Sequence, residues 1–108
     1  MNKRLNKGIS LLQVGDLDGA SRIFLGLLKK DPEDASAHLW MGNYYVLLGD
    51  LSLARNEFRS VMRHGNEELS EEAKRQLRTL WFNRFVNVLI LSPPLRVILI
   101  TALFGYGA

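Results

Sequence analysis

The sequence predicts an all-α protein, and three observations carry that expectation. Apolar residues recur at helical spacing through most of the first 64 positions. Gly15-Asp16 and Gly49-Asp50 interrupt those runs at matching places. The chain also repeats itself at a 34-residue interval without a gap. At 108 residues there is room for one modest domain, and with 47% hydrophobic residues it can form a core.

Laid over 35–68, residues 1–34 match at Leu5/Leu39, Gly8/Gly42, Gly15/Gly49, Asp16/Asp50, Leu17/Leu51, Ala20/Ala54, Phe24/Phe58 and Glu33/Glu67. Ordinary residue usage would give roughly two matches by chance. The matched residues have physical jobs. Gly15 and Gly49 can adopt positive φ and close a helix. Asp16 and Asp50 can accept N–H bonds at the start of the next helix. Ala20 and Ala54 permit close approach, and Phe24 and Phe58, four residues on, fill the space between helices. Gly8 and Gly42 fall mid-helix, where glycine costs about 1 kcal/mol against alanine, so a neighbouring helix is expected to cross closely there. Pro32 stops the second helix. The helices are expected at about 2–14, 18–30, 35–48 and 52–64. Each unit reads helix, turn, helix, and two units must stack to bury their apolar faces.

These residues resemble the tetratricopeptide repeat (TPR) family. Gly8, Leu11, Gly15, Asp16, Ala20, Phe24 and Pro32 occupy motif positions in one copy, and Gly42, Tyr45, Gly49, Asp50, Ala54 and Phe58 in the other. The likeness covers 1–68. Arg4 and His38 stand where the motif has tryptophan, Leu27 and Val61 where it has alanine, and Asn66 where it has proline. The resemblance implies an antiparallel helix-pair array, an α-solenoid fragment, whose first helices line a concave groove. In that groove it places Asn2, Leu5, Asn6, Ile9, Leu12 and Gln13 of one copy and Ser36, Leu39, Trp40, Asn43, Val46 and Leu47 of the other. The expected ligand is a peptide or helix of a partner protein bearing a few apolar anchors. Trp40 is the leading anchor, with packing inside the protein as its competing role. The family's carboxylate clamp needs basic residues where this chain has Leu5, Ser36 and Trp40, so it is not expected.

Residues 69–84 read as a capping helix. Ser70 can start it, acidic residues suit its first turn, and Leu77, Leu80, Trp81 and Phe85 share a side. That face could cover the open end of the second unit, or Trp81 could belong to an interfacial belt. Residues 85–108 form a hydrophobic tail. In 85–104, FVNVLILSPPLRVILITALF, fourteen of twenty residues are apolar, a length that suits one bilayer crossing. Arg84 precedes it as a cytoplasmic flank would. Pro93-Pro94 and Arg96, the latter costing about 2.5–3.5 kcal/mol at bilayer depth, oppose a plain span. Two shorter helices, 70–91 and 95–105, could instead form a re-entrant hairpin, lie on a membrane, or pack on the repeats or a partner subunit.

Charge and chemistry narrow the function. All eleven acidic residues precede position 80, and only Arg84 and Arg96 carry charge after it. Basic residues do not crowd one face, so no nucleic-acid partner is expected. The first twenty residues lack a signal peptide's apolar core. The absence of cysteine excludes disulfides. His38 and His64 have no second ligand at metal spacing, and there is no G-x-S-x-G or phosphate-cradling glycine cluster. The expectation is a non-enzymatic interaction adaptor or scaffold without cofactor or small-molecule substrate. It would be membrane-associated with its repeats facing the cytoplasm; the alternative is a soluble cytoplasmic chaperone or complex subunit.

Overall fold

A computed structural model describes residues 2–90. They form α1 (Lys3–Gln13), α2 (Leu17–Lys30), α3 (Ala35–Leu48), α4 (Leu51–His64) and α5 (Glu67–Ile90). No strand occurs among the described residues. Two compact units, Met1–Leu77 and Arg78–Ala108, divide the chain, and α5 runs through the boundary.

In the first unit, consecutive helices fold back on each other in two hairpins, α1 with α2 and α3 with α4, and α2 packs on α3. The turns within the hairpins are built alike. Gly15 (φ 87°) and Gly49 (φ 82°) lie in the left-handed region, which costs a residue with a Cβ roughly 1–2 kcal/mol. Asp16 N–H donates to the Leu11 carbonyl at 2.9 Å, and Asp50 N–H to that of Tyr45 at 3.0 Å. These bonds, with Gly15 N–H to Leu12 and Gly49 N–H to Val46, make two Schellman closures. Each aspartate then starts the next helix: Asp16 Oδ1 accepts from Gly19 N–H at 2.9 Å, and Asp50 Oδ1 from Leu53 N–H at 3.1 Å.

The interiors of the hairpins are also alike. Ala20, Phe24, Ala54 and Phe58 have no exposed surface. A Cβ added to Gly8 would lie 2.7 Å from Phe24 Cε1, and one added to Gly42 would lie 2.5 Å from Phe58 Cε1. The expected close crossing is therefore a ring laid against each bare glycine backbone. Burying a phenylalanine fully is worth about 1.5–3 kcal/mol, enough to outweigh the glycine's helix penalty of about 1 kcal/mol. Met41 of α3 joins Leu12, Ala20 and Phe24 of the first hairpin in one cluster, with Tyr44 and Tyr45 packed against it.

The fifth helix departs from expectation at its start. It begins at Glu67, not Ser70, and Asn66 caps it by accepting from Leu69 N–H at 2.9 Å. Between α2 and α3 stand Asp31, Pro32, Glu33 and Asp34, whereas Gly65 and Asn66 alone separate α4 from α5. With asparagine where the first copy has Pro32, the cap comes two residues earlier. Ala73 in this helix is fully buried. In the second unit, Leu80 is buried, and Trp81 and Phe82 are 69% and 58% exposed. Among the described residues no helix is long and apolar enough to cross a membrane. The apolar run 85–104 extends past Ile90, and most of it, with the helix expected at 95–105, lies outside the described residues.

Candidate functional site

One face of the first unit is set by α1 and α3, the leading helices of the two hairpins. They touch only sparsely, and a groove of about 280 Å³, open to solvent, lies between them. It is lined by Leu12 and Gln13 from the last turn of α1 and by Trp40, Asn43, Val46 and Leu47 from α3. On α3 these residues recur at three- and four-residue intervals, which places them on one helical face. Leu12 is buried, Trp40, Asn43 and Val46 are half-buried, and Gln13 and Leu47 are exposed.

Six of the twelve expected groove residues thus come together. The other six do not line this groove. Leu5 and Ile9 are half-buried against the Leu12, Ala20, Phe24, Met41 cluster. Leu39 is buried at 7% exposure, and Asn6 is exposed. Asn2 caps α1, its Oδ1 accepting from Arg4 N–H at 2.9 Å. Ser36 is half-buried. Trp40 packs against the core cluster and also lines the groove.

The groove wall provided by α3 is tied to the rest of the unit by a contact the sequence did not announce. His38 Nδ1 lies 2.5 Å from Glu57 Oε2 of α4, and His38 Nε2 lies 2.7 Å from the Pro32 carbonyl oxygen. One ring therefore bridges the leading helix, the trailing helix and the loop that joins the hairpins. Both ring nitrogens thus lie within hydrogen-bond distance of an oxygen. The only signal for this pair was a histidine where the motif that the sequence resembles has tryptophan. The glutamate lies nineteen positions away, beyond the reach of a local pattern.

Electrostatically the groove wall is quiet. The α3 sequence contains no acidic residue and no lysine or arginine. Tyr45, on the same helix, has its phenol pushed above the ordinary value of 10.0, first by burial and then by the negative charge of Glu57, with Tyr44 and Asp50 adding to it. Tyr44 and Tyr45 meet edge to face with centroids 5.3 Å apart. No group of three or more His, Cys, Asp or Glu side chains that could hold a metal ion occurs among the described residues. The groove offers apolar contact and two carboxamides, each with donors and an acceptor. Comparisons with protein-family models, curated proteins and solved structures found no match.

Proposed function

We propose that this chain is a TPR-type interaction module, an adaptor or scaffold that holds a peptide or helix of a partner protein in the groove between α1 and α3. The observation that carries this reading is the convergence of Leu12, Trp40, Asn43, Val46 and Leu47 on one open apolar groove. The family reading is supported by the 34-residue repetition of both turn and core. Gly15 and Gly49, Asp16 and Asp50, and Phe24 and Phe58 occupy equivalent structural positions. The module acts by binding, without catalysis or cofactor.

The first half of α5 serves as the cap of the second hairpin in this reading. Aligning its cap Asn66 with Asp34, the cap of α3, puts Leu69, Ala73 and Gln76 at the places of Ala37, Met41 and Tyr44. Leu69 and Gln76 are half-buried and Ala73 is fully buried. Glu71 and Lys74, on the other side, are exposed and pair at 3.1 Å. A helix apolar toward one neighbour and charged elsewhere ends a repeat array in water. The apolar run 85–104 tethers the module to a membrane, with the repeats on the cytoplasmic side. Exposed Trp81 and Phe82 just ahead of it suit an interfacial position.

The test is capture of partners from native membranes by the full chain, by Trp40→Ala, and by Lys29→Ala as a surface control. A specific protein held by the wild type and the control but lost from the Trp40 variant supports the groove. Equal capture by all three overturns it. Recovery of the full chain in the soluble fraction without detergent would rule out the tether separately.

A further inference from the structure

Comparing equivalent positions of α1 and α3 shows where the two hairpins stop being alike. On α3, Ala37 is fully buried, Met41 is 2% exposed, and Tyr44 packs against the cluster formed by the first hairpin. Met41 and Tyr44, with Trp40 and Tyr45, form the face by which the second hairpin seats on the first, and Ala37 lies one turn before Met41 on the same side of the helix. Thirty-four positions earlier, α1 carries Lys3, Lys7 and Ser10, all exposed. The spacing of three and four keeps them on one helical face. Three pairs elsewhere on these helices stay apolar or small: Leu5 matches Leu39, Gly8 matches Gly42, and Leu12 matches Val46. The change from apolar to charged residues is confined to the seating face.

We infer that α1 closes the stack on its side: the face that would receive another helical hairpin has been made into water-facing surface by Lys3, Lys7 and Ser10. Seating a hairpin there would strip water from two ammonium groups with no carboxylate on α1 to receive them, since that helix contains no acidic residue. The array therefore does not grow at α1 by the addition of a hairpin with an apolar seating face. This conclusion is independent of what occupies the groove.

The test uses the full chain with a second copy of residues 1–34 placed ahead of Met1, and the same tandem carrying Lys3→Ala, Lys7→Met and Ser10→Tyr in the original α1. With the natural α1, the added hairpin does not dock and limited proteolysis removes it, leaving the original chain. With the substituted α1, the added hairpin is retained and the urea m-value rises with the extra buried surface. Retention in both tandems, or loss from both, overturns the inference. A second measurement needs no variant. In the wild-type chain, Lys3 and Lys7 should be acetylated by an amine-reactive reagent as fast as exposed Lys29 and Lys30, and strong protection of Lys3 and Lys7 would contradict an open face.

Discussion

Single residues here differ in why they are required, and glycine shows it best. Gly42 is needed for space, because a Cβ would fall 2.5 Å from the Phe58 ring. Gly49 is needed for backbone conformation, because its φ is 82° while nothing lies within 4 Å of an added Cβ. Gly42→Ala should cost about 1–3 kcal/mol by overpacking, and Phe58→Leu should recover part of that loss in the double variant. Gly49→Ala should cost about 1–2 kcal/mol and gain nothing from Phe58→Leu. Urea denaturation of the three single and two double variants separates the mechanisms; equal coupling to Phe58 at both glycines would contradict them. Tyr45 supplies a pH prediction. Its folded-state pKa lies above the unfolded value of 10.0, so the neutral phenol is the form that the fold favours. The stabilisation is complete below pH 10 and is lost as pH rises through the folded value. Melting curves taken across that range should show a steeper alkaline loss for the wild type than for Tyr45→Phe. Matching slopes would remove Tyr45 as the cause.

At the scale of elements, the caps and the histidine bridge decide where helices begin and how they hold together. Asn66→Ala removes the acceptor for Leu69 N–H and should cost about 1 kcal/mol. Ser70→Ala should cost far less, because α5 is already three residues old at that point. The reverse order, read from thermal melts, would restore Ser70 as the start. A double-mutant cycle on His38→Ala and Glu57→Ala should give a coupling of about 0.5–3 kcal/mol, and additive losses would make the contact inconsequential. Much of this level was readable from the chain. Gly-Asp punctuation marked both hairpin turns because a Schellman closure and an aspartate cap are local chemistry written in adjacent residues. The start of α5 was misplaced because Ser70 and Asn66 are both competent caps, and the choice depends on a loop two residues shorter than its counterpart. The resemblance placed Leu39 in the groove, yet it is buried and does not line it, since a motif position does not say what covers the side chain. The His38–Glu57 contact stayed hidden because it depends on tertiary placement.

For the molecule as a whole, two similar hairpins pack so that the second seats Met41 in the core of the first, and the groove between α1 and α3 follows from that seating. If, as proposed, the polar face of α1 and the first half of α5 close the two ends of the array, the groove is left as the place where a partner engages. All of this depends on Phe24 and Phe58 lying flush against Gly8 and Gly42. The most direct measurement is the proton NMR spectrum of those two glycines. Nested packing predicts Hα resonances of both Gly8 and Gly42 displaced by ring currents, with cross-relaxation from Gly8 to Phe24 and from Gly42 to Phe58. Random-coil shifts at either glycine, with no cross-relaxation to its phenylalanine, would contradict the paired-hairpin architecture.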